Sequence, residues 1–209
     1  MPSVSPHGER TRAPQRAEAK ASTRRRILEG AMEVFAREGY HAASMDAIAR
    51  AAGASKGALY FHFPGKLDLF SALVDEFAEG LATNVAGAIE TRRGGVAKVE
   101  AAVTAALETF GRHRALASIV LVESISLGPA YAAKRQEVLG RFVALIRHYL
   151  DEAAAEGSIP PLDTTVAANA WLGAINELVT QWLQGAVPDL SGAVPKLSAL
   201  LLRSVGARS

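Results

Sequence analysis

The chain has 209 residues, of which 49% are hydrophobic and 21% charged, as is typical of a globular protein with one large or two small cores. It contains no cysteine, which excludes disulfides, thiolate metal sites and thiol nucleophiles. The first thirty residues hold no apolar run typical of a secretory signal, and no stretch approaches the roughly 20 apolar residues that cross a bilayer. We therefore expect a soluble, cytoplasmic protein with no membrane partner.

The net charge of +2 is unevenly distributed along the chain. Residues 1–70 carry 11 Lys and Arg against 7 Asp and Glu, whereas residues 71–209 carry 12 against 14. A basic first third joined to a faintly acidic remainder favours polyanion contact, if any, near the N-terminus.

The first part of the chain predicts a tail and three helices. Residues 1–22 are rich in Pro, Ser, Arg and Ala without periodicity, which indicates a disordered basic tail. Apolar spacing, serine N-caps and terminating glycines then predict three helices, over residues 23–39, 44–53 and 55–62. Pro64-Gly65 ends the third helix.

From Lys66 onward the pattern is helical almost to the end. A long helix with an apolar stripe starts at Leu67, and Gly and Pro separate the segments that follow, near 96–113, 115–127, 130–156, 163–185 and 190–205. Because no alternating β-branched runs occur, we predict an all-α fold. We expect a tail over 1–22, one domain over 23–70 and a helical domain over 71–209.

The spacing of three residues in 44–66 predicts a helix-turn-helix. Two helices that cross steeply need a small residue at the contact, a glycine that can adopt positive φ, and an apolar anchor, and Ala49, Gly53 and Leu59 meet these needs. In such a unit the second helix enters the DNA major groove with its N-terminal end.

The second helix carries side chains suited to base edges. Lys56, at its first position, can reach a guanine edge or a phosphate. Tyr60 lies one turn further and offers a ring to a thymine methyl, and Gly57 lets the backbone approach DNA closely. Tyr60 could alternatively be a core residue, and we expect Phe61 and Phe63 to be buried.

Other polar residues in this segment are placed for phosphate. Ser44 and Ser55 cap helices whose N-termini attract anions. His62 and Lys66 flank the end of the second helix, where they can clamp the sugar-phosphate backbone, although His62 could be an ordinary surface histidine.

Segment 23–74, with MDAIARAAGASKGALYFHFPGKLDLF at its centre, resembles the DNA-binding domain of the TetR family of bacterial transcriptional regulators. The pattern IA-x-x-AG-x-S-x-G-x-LY-x-x-F-x-x-K is met by Ile48, Ala49, Ala52, Gly53, Ser55, Gly57, Leu59, Tyr60, Phe63 and Lys66. Gly65 departs from the Ser or Asn frequent in the family, a change that costs a helix cap only a few tenths of a kcal/mol. The resemblance implies a helical C-terminal domain that binds a small effector and forms the homodimer.

The basic residues before and at the start of the first helix have two interpretations. They are either a solvated face or an arm that lies along the minor groove. These residues are Arg10, Arg12, Arg16, Lys20 and Arg24-Arg25-Arg26.

The last two predicted helices have apolar arcs wider than one buried side needs. We interpret them as the dimer interface, a four-helix bundle from two subunits, with Leu178, Trp182, Leu197 and Leu201 as interface residues. The alternative is that 163–185 is a central core helix.

The rest of the C-terminal part offers apolar walls and a few polar groups for an effector pocket. Candidate wall residues are Phe110, Tyr131, Phe142 and Trp171, and candidate polar residues are Glu123 and Asn176. Each could alternatively be an ordinary structural residue.

No constellation in the sequence indicates catalysis. The glycines before Lys66 do not form a P-loop, the five histidines lack metal-ligand spacing, and no G-x-S-x-G occurs. We expect no metal or cofactor and a homodimeric regulator, most simply a repressor, that binds a palindromic operator DNA and a small-molecule effector. The alternatives are an activator of the same fold, or a helical ligand-binding or scaffolding protein with vestigial DNA binding.

Overall fold

The computed structural model describes residues 12–122 and 127–207, and within them the predicted all-α class is confirmed, with no β-strand. The helices are α1 (Arg12–Ala42), α2 (Met45–Ala51), α3 (Lys56–His62), α4 (Lys66–Glu90), α5 (Gly95–Arg112), α6 (Arg114–Leu121), α7 (Pro129–Ala155), α8 (Thr164–Leu183) and α9 (Val194–Ser204), with a short 3₁₀ turn at Ser191–Ala193. Of these helices, none combines the length and apolarity needed to cross a membrane.

The chain divides between Leu73 and Val74 into two compact units. The sequence pattern predicts this boundary between residues 70 and 71. Helix α4 starts in the first unit and continues into the second.

The first unit is built around a small core shared by α1, α2 and α3. Ile27, Val34, Ile48 and Leu59 are all fully buried. A Cβ on Gly30 would lie 2.7 Å from the backbone nitrogen of Ala52, so α1 and α2 pack at a distance that only glycine permits. The position of α2, and of α3 beside it, therefore depends on packing against α1.

Residues 12–22, which the sequence places in a disordered tail, are helical and form the beginning of α1. Their composition explains the difference, because Ala, Arg, Gln, Glu and Lys are strong helix formers. Pro14 lies in the first turn, where a missing N–H breaks no helical hydrogen bond. At the other end, Gly39 interrupts α1 with φ 76° and ψ 160°, at the stop that the sequence predicts.

The second unit is a bundle of the later part of α4 with α5–α9. Asp163 caps α8 by accepting hydrogen bonds from the N–H groups of Thr165 and Val166, both at 3.0 Å. The indole N–H of Trp171 donates to Ser204 Oγ at 3.1 Å and joins α8 to α9. These contacts fix the two last helices on a common core that includes Ala168 and Leu201.

Candidate nucleic-acid interface and ligand cavity

Helices α2 and α3 form a tight helix-turn-helix. Ser44 Oγ accepts from the N–H of Ala47 and Ser55 Oγ accepts from the N–H of Ala58, each at 3.1 Å, so both serines are N-caps. Gly53 has φ +57°, which an L side chain rarely adopts, and this allows the chain to turn between the two helices.

One face of α3 lies open to solvent. Lys56, Gly57, Tyr60 and Phe61 are exposed, and a Cβ on Gly57 would meet no atom within 4 Å. Lys56 Nζ lies 2.7 Å from Asp46 Oδ2, with both side chains largely exposed. This pair is an ordinary surface salt bridge that a stronger partner can replace at small cost.

Phe61 is exposed by 71%, so the prediction that it is buried is wrong. The phase of the helix gives the physical reason. At 100° per residue, Phe61 falls beside Gly57, one turn from it, and on the opposite side from the buried Leu59. This phase signal was available in the sequence, whereas the general burial habit of phenylalanine pointed the other way. Phe63, by contrast, is buried as expected.

Lys66 has a different environment from the phosphate clamp that the sequence suggests. Its ammonium donates to the backbone carbonyls of Tyr40, His41 and Ala43 at 2.8, 3.2 and 2.9 Å, and it lies 4.6 Å from the centre of the Tyr40 ring. An ammonium has three donors, and these contacts use all of them. We therefore infer that Lys66 stabilises the C-terminal end of α1 and the residue that follows it, and is not available for phosphate contact.

His62 lies among cations of α1. Burial, together with the charges of Lys20 and Arg24, lowers the pKa of the His62 imidazole below its ordinary value and so favours the neutral ring. Lys20 Nζ lies 5.1 Å from the centre of the Phe61 ring, and the Arg24 guanidinium lies 5.3 Å from that of Phe63. The beginning of α1 and the end of α3 thus form one basic and aromatic surface.

Arg16, Lys20 and Arg24, which we call the α1 basic row, are all exposed and follow one another at four-residue intervals. They lie on one side of the helix, since side chains four apart share a face. None forms an ion pair with another residue in the part of the chain that the structure describes. Arg10 and the side chain of Arg12, which belong to the same candidate arm, lie outside that part.

The second unit encloses a long, narrow, apolar cavity between α4, α5, α6, α7 and α8. Phe77, Leu81, Val85 and Ile89 line it from α4 at four-residue intervals, which corresponds to a length of about 18 Å from first to last. The cavity volume is about 90 Å³, which is small for its length, so the cavity is narrow.

The candidate pocket residues divide into three groups. Phe110, Phe142, Trp171 and Asn176 line the cavity. Tyr131 does not line it, because it lies in the first turn of α7, before the lining residues of that helix begin. Glu123 lies outside the described residues. Lys98 and Tyr149 line the cavity although the sequence analysis does not single them out. In the sequence, Lys98 and Tyr149 stand out only because each places a polar group on a helix face that is otherwise apolar.

The candidate interface residues on α8 and α9 are more buried within one chain than the sequence suggests. Leu201 is only 2% exposed, so it belongs to the core of its own subunit, and its assignment to the interface needs correction. Trp182 is half-buried under the Arg114 guanidinium, 4.3 Å from the ring centre. Leu178 and Leu197 are also half-buried.

On α8 and α9 the large apolar side chains that are exposed to solvent are not the candidate interface residues. Val166 on α8 is 64% exposed and Leu200 on α9 is 57% exposed. Leu200 is adjacent to the buried Leu201, and a helix turns by 100° per residue, so Leu201 faces the core while Leu200 faces solvent.

Within residues 12–122 and 127–207, no group of three or more acidic or histidine side chains is arranged to hold a metal ion.

Comparison with known proteins gives two matching family models. A model described as bacterial regulatory proteins, tetR family, matches residues 27–73. A second, described as tetracyclin repressor-like, C-terminal domain, matches residues 93–185. The two matches fall on either side of the boundary between the compact units.

Individual relatives extend over most of the chain. The transcriptional regulator UidR of Escherichia coli K12 is 32% identical over 139 residues, which are 66% of this chain and 70% of UidR. The solved structure of the fatty acid degradation regulator FadR from Bacillus halodurans is 28% identical and covers 88% of this chain and 98% of its own, with a TM-score of 0.79. FadR from Bacillus subtilis, solved in complex with stearoyl-CoA, has the same fold, with 23% identity, the same coverage and a TM-score of 0.77.

Proposed function

Because the chain belongs to the TetR family of bacterial regulatory proteins, we propose that it is a homodimeric repressor whose palindromic operator is released when a long apolar ligand binds. The chain is a DNA-binding transcriptional regulator and not an enzyme. The observation that carries the DNA-binding role is the open face of α3, where a lysine, a glycine and two aromatic residues are exposed in the second helix of a helix-turn-helix.

The side chains of that face fit the groove of DNA. Lys56 donates to guanine or phosphate oxygens once Asp46 releases it, and Tyr60 and Phe61 offer apolar rings to thymine methyl groups. Ser44 and Ser55, at the exposed N-termini of α2 and α3, approach phosphates. The imidazole of His62 can donate an N–H to a phosphate in its neutral form. It becomes positively charged only if a nearby phosphate raises its pKa again.

The shape of the cavity supports a long, flexible apolar ligand. A narrow channel whose α4 wall is about 18 Å long suits a single hydrocarbon chain better than a ring system. The complex of the related Bacillus subtilis FadR with stearoyl-CoA supports the same class. We therefore propose a fatty acyl chain as the ligand.

The exposed face of α8 and α9 supports the dimer. Val166, Ala170 and Gly173 are exposed along α8 and include small residues that allow another helix to approach closely, and Leu200 provides an apolar contact from α9. A two-fold axis makes such a patch its own partner. We propose that this face replaces the one predicted around Leu201.

The central experiment measures binding of the purified chain to duplex DNA flanking its own gene, with palmitate or palmitoyl-CoA added. We expect a DNA complex that the acyl ligand dissociates. Ala106→Phe, which fills the cavity from α5, should keep DNA binding and lose the response to ligand, whereas Ala144→Phe, on the exposed side of α7, should retain both. Binding without preference over random DNA would favour vestigial DNA binding, and ligand-dependent activation of transcription would favour an activator.

The α1 basic row should contribute to DNA affinity through phosphate contacts. Like charges four residues apart destabilise a helix, so this row serves something other than the stability of α1. Changing Arg16, Lys20 and Arg24 together to Gln should flatten the dependence of log affinity on log salt by roughly 0.9 per lost phosphate contact. Arg25→Gln is the control, because Arg25 on the same helix lies 3.9 Å from Glu29. An unchanged salt slope would make the row a merely solvated face.

A further inference from the structure

The cavity in the second unit is bounded almost entirely by hydrocarbon. Lys98, Tyr149 and Asn176 are among the lining residues, but they contribute mainly carbon atoms to its surface. A polar group that enters such a site loses its hydrogen bonds to water and gains none in return, which weakens binding. The part of a ligand that lies inside must therefore be hydrocarbon, and the walls distinguish ligands by shape and length.

Two phenylalanine rings meet at one end of the cavity. Phe77 is the first lining residue of α4 and Phe110 is the last of α5, and their ring centres lie 5.4 Å apart with the planes tilted by 54°. This is a favourable separation for an aromatic pair. The connection from Glu90 to Gly95 is short, so α4 and α5 are antiparallel neighbours, and the two rings bound the cavity at the same level.

The two rings separate the cavity from solvent at this end. Phe77 and Phe110 are only 7% and 6% exposed. His113, three residues after Phe110, is exposed, and its ring centre lies 6.1 Å from that of Phe77. Water thus contacts the imidazole and not the phenyl rings behind it. We infer from this arrangement that the cavity is closed at Phe77 and Phe110.

Hydrogen bonds between α4 and α5 hold the closed end in place. Asn84, two turns after Phe77, donates from Nδ2 to Thr109 Oγ1 at 3.2 Å, and Thr109 Oγ1 donates to the carbonyl of Ala105 at 2.7 Å. Thr109 is 2% exposed and immediately precedes Phe110. Buried polar groups that satisfy one another make the helices that carry them rigid. The ring of Phe110 therefore stands on backbone that yields little to a ligand.

The opposite end of the cavity lies close to water. Ile89 and Val99 line it there, beside the ion pair that Lys98 of α5 forms with Glu152 of α7. These two charged side chains are 22% and 35% exposed. A polar group at the end of a hydrocarbon chain stays hydrated only if it lies towards water. We therefore expect the hydrocarbon end of a ligand to lie towards the two phenyl rings.

We propose that Phe77 and Phe110 are a stop that sets the depth of the cavity, and that they determine how long a hydrocarbon chain the protein can bury. This rests on the proposed function, from which the hydrocarbon ligand comes. Each methylene group that enters the cavity raises affinity by roughly fourfold. Once the chain touches the rings, further methylene groups remain in water and add nothing. Affinity therefore rises with chain length and then reaches a plateau.

The test measures the affinity of the full-length protein for two homologous series by displacement of a fluorescent fatty acid. The first series is the even-numbered saturated fatty acids from octanoate to eicosanoate, each below its micelle concentration. The second is the 1-alkanols of the same lengths, which carry an uncharged head. Because the stop contacts only the hydrocarbon end, we expect the plateau to begin at the same chain length in both series.

Variants of the two phenylalanines should move this plateau. Phe110→Leu deepens the cavity, so the plateau should begin about one to three carbons later. Phe77→Leu should act in the same direction and repeats the test from the other helix, whereas Phe110→Trp should shift the plateau to shorter chains. Val85→Ala is the control, because it widens the middle of the α4 wall without lengthening the cavity and should leave the plateau in place. Thermal unfolding shows which variants are folded.

The possible failures of the stop and of the proposed ligand are distinct. An unmoved plateau in the folded phenylalanine variants, an equal shift in Val85→Ala, a plateau that differs between acids and alcohols, or affinity that rises without a plateau would each overturn the stop while the apolar ligand stands. If no chain of either series binds the wild-type protein, the proposed ligand class fails together with the stop.

Discussion

Gly57→Leu is expected to abolish specific DNA binding while the protein remains folded. A Cβ at this position meets no atom within 4 Å in the free protein, and leucine favours a helix by up to about 1 kcal/mol over glycine, so stability should be unchanged or slightly higher. On the open face of α3, however, the added isobutyl group would hold the helix away from the base edges. A loss equivalent to about one or more base contacts, tenfold to over a hundredfold in affinity, should result.

The measurement is fluorescence anisotropy with operator DNA, and thermal unfolding serves as the folding control. Gly87→Leu is the matched substitution, since Gly87 is also an exposed helical glycine with open space around it, but in the second unit. Ligand affinity should be unaffected in both variants. If Gly57→Leu bound the operator as wild type does, α3 would not be the helix that enters the groove, and the DNA-binding assignment of its face would fail.

Leu200→Asp is expected to produce monomers and to weaken operator binding by a factor on the order of a hundred or more. Leu200 is 57% exposed in the single chain, so a carboxylate there costs the isolated subunit little. In a symmetric interface the same change would bury two charges against an apolar surface. Affinity falls because each half-site must then be bound independently, without the effective concentration that the dimer provides.

The adjacent leucine provides the contrast. Leu201→Ala removes a side chain that is only 2% exposed, and should lower the free energy of unfolding by about 2–5 kcal/mol while the oligomeric state is retained. Sedimentation velocity at several concentrations, combined with denaturant unfolding, distinguishes the two effects. Dimers of undiminished affinity in Leu200→Asp would place the interface on another face of the molecule.

The helix-turn-helix was predictable because its signals are local. The serine N-caps, the glycine at positive φ and the buried anchor Leu59 all act within a few residues of their own position, so spacing alone reveals them. The exposure of Phe61 followed from the same local geometry, because the phase of α3 is set by Leu59. The prediction that Phe61 is buried relied instead on how often phenylalanine is buried in proteins, which was the weaker guide.

The role of Lys66 could not be read from the sequence. Its three carbonyl partners lie 23 to 26 residues earlier in the chain, and they meet Lys66 only when the last residues of α1, beyond the break at Gly39, lie beside the start of α4. The burial of Leu201 was also unpredictable from the sequence, because it depends on how one helix packs on the rest of the fold. Its neighbour Leu200 has the same chemistry, and only the orientation of α9 on the core decides which of the two faces solvent.

The cavity also affects how the stability of the protein responds to hydrostatic pressure. The cavity is lined by Val, Leu, Ile and Phe side chains, and unfolding eliminates its volume. Hydrostatic pressure favours the state of smaller volume, which here is the unfolded state. An acyl chain in the same channel occupies that space and adds its own binding free energy to the folded state. We therefore expect hydrostatic pressure to destabilise the second unit less when the proposed acyl chain occupies the cavity than when it does not.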